Sequence, residues 1–113
     1  MAKIEIASLV DKIGQETTIQ GWAQSVRSHG KIIFVDLRDH SGLLQVVFWK
    51  KDLVEKASTI NTEDLIEVTG TVQARPENMV NKDISTGTIE FGASNFEFIS
   101  DEDQFKVTNV RCV

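Results

Sequence analysis

The chain has 113 residues, 41% of them hydrophobic and 26% charged, with a net charge of −5. Those values suit one globular domain with one modest core and argue against disorder. The acidic balance argues against an indiscriminate nucleic-acid glue, and no apolar run approaches the roughly 18 residues of a membrane span.

The opening "MAKIEIASLVDK" contains acids and no long apolar region, so no signal peptide is expected. It places Ile6, Leu9, Val10 and Ile13 at helical spacing, with Gly14 as a stop, and predicts a short amphipathic helix. "TTIQGWAQSVR" alternates instead. Ile19, Gly21 and Ala23 share one face of a first strand, with a glycine where a barrel bends sharply. After the turn "SHGK", a second strand runs from about Lys31 to Asp39. "DHSG" closes a tight hairpin with Gly42 available for positive φ, and a third strand spans about Leu43 to Trp49.

In "KKDLVEKASTI" the period changes, and Leu53, Ala57 and Ile60 predict a helix of two or three turns. "DLIEVTGTVQA" returns to period two, with Ile66, Val68, Gly70, Val72 and Ala74 inward. A polar loop from Arg75 to Thr86 carries the one proline, Pro76. The fifth strand turns Ile89, Phe91 and Ala93 inward. Its parity then flips to Phe96 and Phe98, which predicts a bulge near Gly92 to Asn95.

Five strands in so small a chain leave exposed edges unless the sheet closes on itself. The expected fold is therefore all-β: a five-stranded OB-fold (Greek-key) barrel with a short helix between strands three and four and a short N-terminal helix. Residues 1–100 form this domain and 101–113 a tail. In such barrels ligands meet the face of strands two and three and the loops joining strands one to two and four to five.

That face is informative. Strand two turns Ile32, Phe34, Asp36 and Arg38 outward, and strand three Leu43, Gln45, Val47 and Trp49. Arg27 lies in or near the loop between strands one and two, and Glu90 has the outward parity of strand five. An aromatic ring can stack on an unpaired base, and an amide can read a base edge by donating and accepting. A carboxylate prefers a base rich in N–H donors, guanine above all. Each residue also has a plainer reading: an aromatic packed under a loop or a neighbouring domain, a solvated amide, a surface charge. Trp22 is expected to pack, and Trp49, at the strand end, is left open. The charge distribution suits the face, since Gln20 to Lys50 holds Arg27, Lys31, Arg38 and Lys50 against Asp36 and Asp39. A solvated acidic surface is an equal account of the whole charge pattern.

Catalysis has little support. His29 and His40 sit in predicted turns with no nucleophile pattern nearby. Asp36 and Asp39 lie on opposite faces of a strand, and no glycine-rich phosphate loop is present. The single Cys112 cannot form an internal disulfide, and with two His residues a metal site is not expected. Together these favour a reducing, cytoplasmic setting.

"IQGWAQSVRSHGKIIFVDLRDHSGLLQVVF" and "VTGTVQARPENMVNKDISTGTIEFGAS" resemble the N-terminal anticodon-binding domain of bacterial-type aspartyl-tRNA synthetase, over roughly Ile4 to Ser100. The resemblance implies binding to the anticodon loop of aspartate tRNA. By it, Phe34 stacks on the central anticodon base and Gln45 hydrogen-bonds that base. Glu90 reads the first base, a guanine, and Arg27 contacts the loop. Arg75 and Asn81 fall where the family approaches the third base and backbone. The implied parent is a homodimeric class II aspartate–tRNA ligase. This domain needs no cofactor of its own, since ATP and Mg belong to a catalytic domain whose motifs the chain lacks.

Two departures stand out. The family carries consecutive arginines where this chain has "QSVR", and "DEDQFKVTNVRCV" lacks a proline-rich hinge. The expectation is a non-enzymatic, monomeric module with tRNA as its partner and no membrane contact. The rival is a freestanding OB-fold module for other single-stranded nucleic acid or a protein.

Overall fold

The computed structural model describes residues 5–84 and 86–99. Five strands follow from the period-two stretches: β1 (Glu16–His29), β2 (Ile32–Asp39), β3 (Gly42–Phe48), β4 (Leu65–Ala74) and β5 (Ile89–Phe98). They close in the order β1-β2-β3-β5-β4, and β1 pairs with β4 to complete the barrel. All neighbours are antiparallel except β3 and β5, whose parallel pairing joins Val46 to Phe91. Helix α1 (Lys51–Ala57) lies between β3 and β4 and tucks Leu53 and Ala57 against the barrel, with Ile60 buried just beyond it. The predicted five-stranded OB-fold is therefore the observed one.

Inside, the inward sets meet. Val35, Leu37, Leu44, Val46, Phe48, Phe91 and Phe96 are all buried, and Phe48 and Phe96 meet edge to face at 5.2 Å. Each such side chain contributes roughly 1.5–3 kcal/mol relative to an exposed one. Gly21 is buried on β1, and a Cβ there would lie 2.5 Å from the Arg38 carbonyl oxygen, so the close approach of β1 and β2 needs a glycine.

The N-terminal helix forms as a 3₁₀ turn, Ile6–Asp11, which buries Ile6 and Leu9. Asp39 fixes it to the β2–β3 hairpin. Its Oδ2 accepts from the Ile6 amide at 2.9 Å, while Oδ1 accepts from the amides of Ser41 and Gly42. That carboxylate turns the hairpin, so Gly42 needs no positive φ and has none, contrary to expectation. Ile13, Ala74 and Phe98 were expected inward and are exposed. Ile13 lies past the end of the 3₁₀ turn, while Ala74 and Phe98 sit at strand ends where the barrel no longer covers them. The bulge in β5 falls as predicted: Thr69 pairs with Asn95 and Gly70 with Ala93, leaving Ser94 extra. The predicted tail, 101–113, lies outside the described residues.

Candidate nucleic-acid interface

The face of β2 and β3 acquires its chemistry from β1. Strand β1 runs to His29, through the first half of the predicted turn, so Arg27, expected in or near the loop, is a ladder residue opposite Phe34. A bulge precedes it. Ala23 pairs with Leu37 but Ser25 pairs with Asp36, which leaves Gln24 extra. With period two, that single insertion moves Ser25, Arg27 and His29 from the inward parity of Ile19 and Ala23 to the outward face. They join Phe34 and Asp36 there.

A chain of polar contacts crosses four strands. Ser25 donates to Asp36 Oδ2 at 2.5 Å, and Arg27 Nη2 donates to Asp36 Oδ1 at 3.2 Å. The same nitrogen donates to Gln45 Oε1 at 3.1 Å, and Gln45 Nε2 donates to Glu90 Oε2 at 3.3 Å. The parity that placed Gln45 outward is correct, but the residue is only 6% exposed because these neighbours cover it. Its amide still has one acceptor lone pair and one N–H to offer. The Arg27–Asp36 pair is partly solvated, so it is worth little as stability. Its effect is to hold the guanidinium in place.

Phe34 is half-buried. The Arg27 guanidinium stands 5.5 Å from its ring centroid, within cation–π range, and His29 meets its edge at 5.9 Å. Arg75 approaches Glu90 from the start of the loop that leads to β5. It donates through Nε to the Ile89 carbonyl at 2.8 Å and through Nη1 to Met79 O at 3.3 Å. Burial pushes the Arg75 guanidinium below the usual arginine range, against the opposing pull of Glu90 and Asp36. It stays charged, since arginine does not deprotonate in proteins.

Five of the six predicted residues thus gather on one surface. Asn81 does not join them: its amide donates to Gly87 O and its Oδ1 accepts from the Asp83 amide, so it shapes its own loop. That loop is fastened to β3 where the buried Thr86 hydroxyl donates to the Leu43 carbonyl. Two residues of the surface, Ser25 and Asp36, were not singled out as a pair from the sequence. The parity of β2 marked Asp36 as outward, but nothing in the alternation of β1 announced its partner.

Residues 17–102 match a family model for tRNA anticodon recognition, described as an OB-fold nucleic acid binding domain. The chain belongs to this family. Among curated relatives of this OB-fold domain, the aspartate–tRNA(Asp/Asn) ligase of Corynebacterium diphtheriae is 44% identical over 88 residues, 78% of this chain and 15% of that protein. The aspartate–tRNA ligase of Ruminiclostridium cellulolyticum is 44% identical over 90 residues, with the same coverage. The aspartyl-tRNA synthetase of Entamoeba histolytica superposes with a TM-score of 0.79 at 24% identity, over 88% of this chain and 21% of that one, a likeness of fold. The OB domain therefore spans about 15% of the length of the curated relatives it matches. Among the described residues no group of His, Cys, Asp and Glu could hold a metal, and no helix is long and apolar enough to cross a membrane.

Proposed function

We propose that this OB-fold domain holds the splayed anticodon loop of aspartate tRNA on the outward face of β1, β2, β3 and β5. The observation that carries the reading is the hydrogen-bonded chain from Asp36 through Arg27 and Gln45 to Glu90, laid beside the Phe34 ring. The ring offers a stacking platform for the central base, and the remaining amide valences of Gln45 reach that base's edge. Glu90 Oε1 accepts from the N–H donors of a guanine at the first position, with Arg75 balancing its charge. Arg27, already shared among Asp36, Gln45 and Phe34, exchanges part of that set for a phosphate or base. The loop carrying Arg75 and Asn81 takes the third base and the backbone. The longer protein to which such a barrel would belong is an aspartate–tRNA ligase, as its relatives are named, and this domain supplies recognition and no bond-making chemistry.

The test is a binding titration at fixed low salt with aspartate tRNA, a non-cognate tRNA and a polypyrimidine strand. Aspartate tRNA is expected to bind at least tenfold more tightly than the other two. Equal affinities would instead support a general single-strand binder. A sharper check uses Glu90→Gln, which removes a charged acceptor while its Oε still accepts from Gln45. Hydrogen bonds to charged groups contribute about 1.5–3 kcal/mol, so preference for guanine at the first anticodon base should fall roughly tenfold or more. Unchanged guanine preference removes Glu90 from the reading set.

A further inference from the structure

The outward face does not stop at Phe34. In the β2–β3 ladder Phe34 pairs with Val47 and Ile33 with Phe48. Ile32 begins β2 and Trp49 follows the last residue of β3, so that register, continued one step past the strand's end, brings Ile32 and Trp49 together on the parity of Phe34 and Val47. Ile32 is 36% exposed and Trp49 44% exposed. The Trp49 indole has no ring contact and no hydrogen bond among the described residues. It comes directly after the end of β3, two residues beyond Val47. The barrel thus carries a second aromatic platform, larger than the first and partly open to solvent.

Cations flank it. Lys31 precedes Ile32 and Lys50 follows Trp49, and both are exposed. Next to Trp49 the chain enters a groove of about 450 Å³ lined by Lys50, Lys51, Lys56, Ser94 and Asn95, among others. Lys56 is committed to the Phe96 carbonyl and to Glu97. Lys50 and Lys51 have no such partner among the described residues, and the acid lining the groove is Asp52. In a chain of net charge −5 this end of the barrel is locally basic.

We infer that Trp49 and Ile32 form a second stacking shelf for RNA, taking a nucleotide next to those read at Phe34, with Lys50 and Lys51 on the phosphates beyond it. Three observations favour RNA over a protein partner. The shelf is continuous with the Phe34 face, its ring has no partner among the described residues, and its rim charge complements a phosphate backbone. Stacking on a π face is tolerant of sequence. The shelf therefore adds affinity without adding discrimination, and the lysines here offset the thinned arginine content of "QSVR". The inference rests on the proposed function and extends its site.

The experiment measures binding of the 113-residue chain to a hairpin carrying the aspartate anticodon stem and loop, across a salt series. Trp49→Ala is expected to weaken binding roughly tenfold, within the range for loss of one stacked base. The loss should be the same for hairpins with altered anticodon bases, and Trp49→Phe should restore most of it. The Lys50→Ala, Lys51→Ala double variant should reduce the slope of log K against log salt by about 0.7 per lysine. Trp49 is exposed, so an unchanged thermal midpoint is expected and checks that the variant folds. Parental affinity in Trp49→Ala, with affinity lost in Phe34→Ala, overturns the shelf and leaves the anticodon reading standing. Parental affinity in both overturns the two together. Parental RNA affinity combined with loss of self-association in Trp49→Ala assigns the shelf to a second copy of the chain, and likewise overturns the inference.

Discussion

Replacing Phe34 with alanine is expected to weaken binding to the aspartate anticodon hairpin by about 1–3 kcal/mol, roughly 5- to 150-fold. The ring lies on the outer face of β2 and is half-buried, so its truncation opens no cavity in the core. What is lost within the protein is the edge contact with His29 and the cation–π contact with Arg27, both on the partly solvated surface. Thermal stability should therefore change little while affinity falls. Phe34→Leu separates the two roles, since it keeps apolar volume and loses the π face, and it should behave like alanine toward RNA. Titration and thermal melting on the same samples decide the matter. A variant that binds as tightly as the parent removes stacking at Phe34 from the mechanism.

The second large effect concerns folding. Gly70→Ala is expected to lower the midpoint of thermal unfolding by about 10 °C or more, from an overpacking cost of about 3 kcal/mol. Gly70 faces inward on β4 where β5 bulges, opposite Ala93. A Cβ built there lies 2.2 Å from the Gly92 carbonyl oxygen and 3.0 Å from the Ala93 Cα. Those obstacles are backbone, so relief requires β4 and β5 to separate at the β5 bulge. Such a separation also shifts Glu90, three residues before Ala93, so recognition should suffer along with stability. A midpoint equal to the parent's would mean that the β4–β5 seam is looser than the geometry states.

Gly21 and Gly70 both lie at close backbone approaches and stand in strands whose alternation was plain, which is why strand number and barrel closure were legible. The parity flip at Phe96 revealed the β5 bulge, because the apolar residues there are large and their alternation is clean on both sides. The β1 bulge gave no comparable signal. Beyond Gln24 the strand reads Ser25, Val26, Arg27, Ser28 and His29, and one valine is too little to fix a face. Gly42 misled for a different reason: a turn glycine suggests positive φ, but the Asp39 carboxylate turned that hairpin.

The order of strands and helix, the inward sets of β2 and β3, and the outward position of Phe34 and Gln45 follow from the sequence alone. Period-two alternation decides faces wherever a core must be filled. The grouping of Arg27, Asp36, Gln45 and Glu90 was decided only by the tertiary structure. These residues lie on four strands, and one extra residue in β1 selects which side of the sheet Arg27 occupies. Tertiary structure also determined that Gln45, outward by parity, is covered by its hydrogen-bond partners. Exposure depends on what neighbouring strands place alongside a residue, and the alternation of a single strand carries no information about that.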